Sequence, residues 1–162
     1  MVEPPDDDPG NPLYWQKFLS EANTPFDADP EPPSLETLRS LYSSVLVNYG
    51  HACAMTGVRF PPPVEFLHDK LEIAAIQPLA AGGVLHVSNF LCLERRAADA
   101  FRAGHIAVGP SHELIVDLSR IDPELLERLN PLGKLRLPQS EVAQPMQSAL
   151  DFHREHVFLG RA

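Results

Sequence analysis

The sequence predicts an α+β fold in which a compact ββα unit is flanked by an N-terminal helix, a small β-hairpin and C-terminal helices. The unit begins with a strand-like apolar run at Leu71–Ile76, and a flexible turn follows at Gly82-Gly83. A second apolar run at Phe90–Leu93 leads into an alanine-rich helical stretch, Glu94–Ala103. This order of strand, loop, strand and helix indicates the ββα unit.

The N-terminal helix is predicted to begin after Ser34, whose hydroxyl can cap the first turn. The residues spaced for one apolar face are Leu35, Leu38, Leu41, Tyr42, Val45 and Leu46. We expect this helix to end near Tyr49-Gly50, because glycine readily adopts the left-handed conformation that terminates helices.

A hairpin is predicted after the ββα unit, because the turn formers Gly109-Pro110-Ser111 separate two apolar runs, His105–Val108 and Leu114–Leu118. The last part of the chain predicts two helices and one strand. These are a helix over Ser119–Leu129 with Pro123 near its start, a brief strand over Leu135–Pro138 and a final helix over Pro145–His156.

Length and composition favour a single domain with a modest core, since 44% of the 162 residues are hydrophobic and 22% are charged. No run approaches about 18 consecutive apolar residues, and the first residues are acidic where a signal peptide would be basic and then apolar. We therefore expect a cytoplasmic protein without a membrane span. Cys53 and Cys92 lack the CxxC spacing of a zinc site and are expected to be two buried thiols.

The net charge of -9 is concentrated at the N-terminus. Residues 1–36 hold nine acids against Lys17 alone, whereas residues 37–162 hold thirteen acids and twelve lysines or arginines. Eight of the seventeen prolines also fall within residues 1–36. We therefore expect two parts: an acidic, proline-rich segment, residues 1–33, that is largely extended or mobile, and a folded domain, residues 34–162. The domain lacks the strongly basic balance of a typical nucleic-acid binder.

One stretch of the N-terminal segment is apolar. Leu13, Trp15, Phe18 and Leu19 are spaced for one or two helical turns with an aromatic face. This stretch either docks on the domain of its own chain and covers the only tryptophan, or serves as an anchor for another protein.

A set of short motifs occurs in a characteristic order over about residues 37–158. The motifs are Cys53-Ala54-Met55-Thr56-Gly57, Leu71-Glu72, Pro78, Gly82-Gly83, Ser88-Asn89, Phe101 with Gly104, Leu135–Pro138, and Phe152-His153-Arg154 with Val157-Phe158. Together they resemble the bacterial HNH nuclease-domain family of the restriction-endonuclease type. The resemblance implies an HNH-like ββα unit and, in an active member, a divalent metal ion.

The chain resembles a degenerate member of that family, because the motif histidines are absent. The resemblance places the catalytic base at Ala75 and a metal-binding histidine at Ala98, and alanine supplies neither a proton acceptor nor a ligand. Asn89 retains the family's asparagine, which shapes the loop and orients the base. The acidic residue that usually follows the motif phenylalanine is replaced by Arg102, which reverses the charge.

Two arginines are candidates for binding phosphate. On a helix, Arg95, Ala98 and Arg102 follow at i, i+3 and i+7, so the guanidinium groups would flank the position of the missing metal ligand. We hypothesise that one of them supplies fixed positive charge there and that the pair can hold a phosphate without cleaving it. The alternative is that these arginines solvate the outer face of an amphipathic helix.

Other histidines could replace the lost groups. His86 would point away from Asn89 if residues 86–89 form a strand, because the two differ by an odd number. His68 and His105 are expected to be structural or surface residues. His153 and His156 lie three apart on a predicted helix and could bind a metal, although the matching family tail is structural.

Three functions remain open. The sequence favours a catalytically inactive HNH-fold module that needs no cofactor and binds a protein partner or nucleic acid. The second possibility is a metal-dependent HNH DNA endonuclease with displaced ligands. The third is an interaction protein whose acidic N-terminal segment is the working part. No membrane partner is expected, and the sequence leaves the oligomeric state open.

Overall fold

The computed structural model describes residues 34–62 and 68–158, and it has the predicted α+β architecture. The predictions made for residues 1–33, including the apolar stretch of residues 13–19, lie outside the described residues. Among the helices that are described, none has the length and apolar character that crossing a bilayer requires.

Helix α1 spans Leu35–Asn48 and confirms the predicted N-terminal helix. Ser34 caps it, since its Oγ accepts a hydrogen bond of 3.1 Å from the backbone N–H of Thr37. Gly50 has a φ of 63°, the left-handed conformation expected after the last turn. The buried face consists of Leu38, Leu41, Tyr42, Val45 and Leu46, whereas Leu35 is exposed.

The ββα unit consists of β1 (Leu71–Ala75), β2 (Phe90–Glu94) and α2 (Arg95–Arg102). The strands are antiparallel, with Leu71 opposite Glu94 and Ala75 opposite Phe90. Both α1 and α2 pack on this pair of strands, so every residue of β2 is buried. The core of the domain therefore lies around β2.

The second predicted hairpin is also present, formed by β3 (Ile106–Val108) and β4 (Leu114–Val116). At the turn, a Cβ at position 109 would lie 2.3 Å from the carboxyl carbon of Glu113, so a larger residue there would displace the Glu113 side chain. The Glu113 carboxylate instead accepts a hydrogen bond of 2.8 Å from the Ser111 N–H.

The C-terminal helices are shorter than predicted. Helix α3 spans only Pro123–Arg128, because Asp122 caps it by accepting a hydrogen bond of 3.1 Å from the Glu124 N–H. Helix α4 spans Gln147–His156 and begins after Pro145.

The strand predicted over Leu135–Pro138 is wrong. The Leu135 N–H donates to the His112 carbonyl at 2.7 Å, and the Arg136 N–H donates to the Ala54 carbonyl at 2.7 Å. Successive N–H groups thus bond to separate parts of the chain, and no ladder forms.

The two cysteines are free and buried, as predicted. Burial raises the pKa of the Cys53 thiol and that of the Cys92 thiol. Both therefore serve as small apolar side chains of the core at neutral pH.

Helix α4 is held to α2 by a buried histidine. The ring of His153 stacks on Phe101 with centroids 3.8 Å apart, and its Nε2 lies 2.8 Å from the Phe101 carbonyl oxygen. Nδ1 is buried without a hydrogen-bond partner, which fits a neutral ring that donates through Nε2. Burial, together with the nearby Arg154 charge, lowers the pKa of His153 to about 4.

We expect His153 to make the fold sensitive to acid. Since its pKa lies below the usual value of about 6.5, the unfolded chain binds a proton that the folded chain does not. Its contribution to stability is complete above about pH 6.5 and is lost progressively as the pH falls toward about 4, by up to roughly 3 kcal/mol. Urea unfolding measured from pH 7 to pH 4 checks this.

The His153→Gln variant keeps a donor for the Phe101 carbonyl and should show a shallower pH dependence than the unaltered protein. The matched control is His156→Gln, which changes an exposed histidine of the same helix and should leave the slope unchanged. Equal slopes in all three proteins would contradict the assignment.

Candidate functional site

Asn89 closes the loop between β1 and β2. Its Oδ1 accepts a hydrogen bond of 2.9 Å from the Gln77 N–H, and its Nδ2 donates to the carbonyls of Gln77 at 3.0 Å and Val84 at 3.1 Å. Its own carbonyl accepts from the Ile76 N–H at 2.8 Å. Asn89 is fully buried, and the hydrogen bonds of its side-chain oxygen and nitrogen go to backbone groups of the loop.

Gly83 is the second requirement of this loop. A Cβ at position 83 would lie 2.0 Å from the Gln77 carbonyl oxygen and 2.8 Å from the Asn89 Nδ2. Any side chain would therefore separate the two residues that Asn89 joins. The resemblance named Gly82-Gly83 as a motif, and the structure gives Gly83 its physical reason.

The structure places Ala75 at the end of β1, opposite Phe90, where it is partly buried. Ala98 lies on α2, is 0% exposed and belongs to the main apolar cluster. The metal ion that the family resemblance implies does not fit these residues, because neither alanine offers a ligand and Ala98 is covered by the core. We therefore derive no chemistry through a metal at this position.

The other histidines do not form a substitute site. In the described ranges, 34–62 and 68–158, no group of three or more His, Cys, Asp or Glu side chains could hold a metal ion. His68 is buried, with Nδ1 accepting from the N–H groups of Lys70 and Leu71 and Nε2 bonded to the Pro61 carbonyl. His105 is partly buried and immediately precedes β3.

His86 is exposed, and the expectation that residues 86–89 form a strand is wrong. Residues 87–89 form a 3-10 turn, and His86 caps it, since its Nδ1 accepts from the Ser88 N–H at 3.1 Å. The argument from alternating strand faces therefore does not apply. What separates His86 from Asn89 is that its ring bonds Ser88 whereas the Asn89 side chain bonds Gln77 and Val84.

The two histidines of α4, His153 and His156, also have different roles. His153 bonds the Phe101 carbonyl in the core, whereas His156 is exposed, with its ring centroid 4.5 Å from that of Phe152. Their spacing on α4 therefore does not create a pair of ligands.

Arg95 and Arg102 lie on the side of α2 that faces β1, and both contact Glu72. Arg102 Nη1 donates to Glu72 Oε1 at 2.7 Å, and Arg95 Nε donates to Glu72 Oε2 at 3.4 Å. Arg102 also donates from Nη2 to the Ile73 carbonyl at 3.2 Å, so it joins α2 to β1. A second carboxylate, that of Asp99, lies 3.8 Å from Arg102.

Glu72 is the site residue whose role the sequence did not reveal. Two guanidinium groups share two carboxylates here, so the local charge sums to zero. A phosphate binding to Arg95 and Arg102 would have to compete with Glu72, which is already bonded to both. Phosphate binding by these arginines stays a prediction. Because Glu72 is far from both arginines along the chain, no local signal pointed to the pair.

The loop of the ββα unit exposes apolar side chains. No Asp, Glu, Lys or Arg occurs between Glu72 and Glu94. Within that stretch, Val84 is 45% exposed and Leu85 is 38% exposed. The hydrogen bond from the Asn89 side chain to the Val84 carbonyl fixes the backbone at this position.

No family model matches the chain, and no curated protein matches it at a significant level. Among solved structures, the chain is similar to a protein named "Modification dependent TagI restriction endonuclease", with a TM-score of 0.55 and 20% sequence identity. The match covers 73% of this chain and 37% of that chain. This likeness shows that the domain shares the fold of part of that protein, and the chain spans little more than a third of that protein's length.

We expect Asn89→Ala to destabilise the domain by about 2–4 kcal/mol, because it leaves buried backbone groups on both sides of the loop without partners. Urea unfolding at neutral pH measures the change. Asn130→Ala is the matched control, since Asn130 also bonds backbone groups, Leu132 N–H and Lys134 C=O, but at the surface. Its loss should cost less than about 1 kcal/mol. Similar losses in both variants would show that Asn89 has no special role in the loop.

Proposed function

We propose that residues 34–162 form an HNH-type domain that has lost nuclease catalysis and acts as a binding or regulatory module for a protein partner. Residues 1–33 form a separate acidic segment in this proposal. The observation that carries it is that Ala98, at the position where the resemblance implies a metal ligand, is fully buried in the apolar core.

The side chains at the motif positions support loss of catalysis. Alanine at position 75 accepts no proton from an attacking water, a role that needs a group with a pKa near neutrality. Asn89, the retained motif residue, is occupied by the loop. Residues 73–93, which lie between Glu72 and Glu94, contain no Asp, Glu, Lys or Arg that could replace the missing groups.

The charges favour a protein over nucleic acid as the partner. Affinity for nucleic acid comes largely from Lys and Arg contacts to phosphates. On the α2 face, Arg95 and Arg102 both pair with Glu72, and Asp99 supplies the second negative charge beside Arg102. The exposed apolar loop is suited to the buried core of a protein interface, which is more apolar than the rest of a protein surface.

The alternative is nucleic-acid binding, with or without cleavage by displaced ligands. It is favoured by the similarity to the restriction endonuclease and by the exposure of Arg95, whose side chain is 65% accessible. The two candidates differ in their response to metal ions and to the charge of Glu72.

We expect the purified chain to show no metal-dependent nicking of supercoiled plasmid in magnesium, manganese, nickel or zinc. We also expect its melting temperature to be the same in chelator and in zinc or magnesium, because no ligand set is present at Ala75 and Ala98. A metal-dependent activity that disappears in His86→Ala or His105→Ala would establish the displaced-ligand nuclease. A clear rise in melting temperature with either metal would also count against the proposal.

We expect Glu72→Gln to create DNA binding that the unaltered chain lacks. The change removes one of the two negative charges that balance Arg95 and Arg102, while keeping a side chain of the same shape. Binding to a duplex, followed by fluorescence anisotropy, should appear at low salt and fade as ionic strength rises.

The matched control is Glu124→Gln, which changes the net charge equally but removes one of the two carboxylates paired with Arg96, the other being Asp122. Only the Glu72 variant should gain affinity. Equal gains would reduce the effect to net charge, and tight, salt-dependent binding by the unaltered chain would favour nucleic acid as the natural partner.

A further inference from the structure

The proposed function does not say what binds the apolar loop of residues 84–85. Val84 and Leu85 are adjacent and exposed, and they lie in a stretch without formal charge. Hydrogen bonds of Gln77, Gly83 and Asn89 fix the loop backbone, so the two side chains are displayed on a rigid support. A rigid apolar surface loses little conformational entropy when it is covered.

Other exposed apolar residues lack this combination. Leu118 is 74% exposed and Leu132 is 83% exposed, but each is a single apolar residue in a polar turn, next to Asp117 and near Lys134 respectively. Single exposed apolar side chains are common on protein surfaces. The Val84-Leu85 loop is therefore the stronger docking surface.

The chain itself carries a segment of matching chemistry. Residues 13–19 read Leu-Tyr-Trp-Gln-Lys-Phe-Leu, and they lie in the stretch between Asp8 and Glu21 that contains no acid. This part of an otherwise strongly acidic segment can thus approach an uncharged loop without burying a carboxylate. It also includes Trp15, the only tryptophan of the chain.

The connection is long enough for this contact within one molecule. Residues 20–33 link the apolar stretch to Ser34 at the start of α1. Fourteen residues can span roughly 45–50 Å when extended. A domain of about 125 residues has a radius of gyration of about 14 Å and so a diameter below about 40 Å. The linker is therefore longer than the domain is wide, so residues 13–19 can reach the loop from Ser34.

We propose that residues 13–19 dock on the Val84-Leu85 loop of their own chain and cover it. The N-terminal segment then acts as an internal competitor for any protein that binds this loop, and the acids on either side of residues 13–19 repel nucleic acid from the same face. The docking does not depend on whether the domain has lost catalysis, so the two proposals fail separately.

Trp15 makes the contact directly measurable in the full chain. Its emission maximum and its quenching by acrylamide report how exposed it is to water. We expect a protected, blue-shifted tryptophan at every protein concentration tested. The double variant Val84→Asp with Leu85→Asp should shift the emission to the red and increase quenching. Leu132→Asp, which alters an exposed leucine elsewhere, should leave both unchanged.

Unfolding curves of the variants show whether the domain is still folded, since Val84 is 45% exposed and Leu85 38% exposed and the rest of each residue is covered. A water-exposed Trp15 in the unaltered chain would overturn the proposal. So would protection that survives the loop substitutions, because the segment would then dock elsewhere. Protection that grows with protein concentration would assign the loop to a second copy of the chain and would equally refute docking within one molecule.

Discussion

The ββα unit depends on the hydrogen bonds of one buried side chain, that of Asn89. These bonds join Gln77, which follows β1, to Val84, which precedes β2, while the Asn89 carbonyl accepts from the Ile76 N–H. A single residue thus sets the path of the loop and the pairing of the strands, and with them the point where α2 begins. These hydrogen bonds explain the asparagine at position 89 by folding alone, without any catalytic role.

The charged side chains between α2 and β1 are held in place by the same ββα unit. Arg102 bonds both Glu72 and the Ile73 carbonyl, so a guanidinium group connects α2 to β1. An exposed ion pair is worth little, but Arg102 and Glu72 are partly buried and hydrogen-bonded, which makes their geometry more stable. The result is a helix face with two arginines and little net charge. This face resembles a phosphate site in composition and differs from one in electrostatics.

Local sequence signals predict much of this fold, and the predictions that were wrong have physical reasons. Ser34 and Gly50 mark the ends of α1, and the order of short apolar runs predicts the hairpins. The alternating residues Leu135–Pro138 resemble a strand, but their N–H groups bond separate parts of the chain. The site was predicted less well, because α2 periodicity aligns Arg95 and Arg102 but says nothing of Glu72, which is 23 and 30 residues away.

The burial of Ala98 determines whether a histidine could be accommodated at position 98. An imidazole at this position would enter an apolar cluster that now has an alanine there, and overpacking of a core is destabilising. Its nitrogens would be desolvated, which lowers affinity for a proton and requires a hydrogen-bond partner or a metal. A base at position 75 would still have no divalent metal ion beside it, and the positive charge of the Arg102 guanidinium would repel such an ion. The loss of catalysis that we propose would therefore depend on the packed core and its charges as much as on the two alanines.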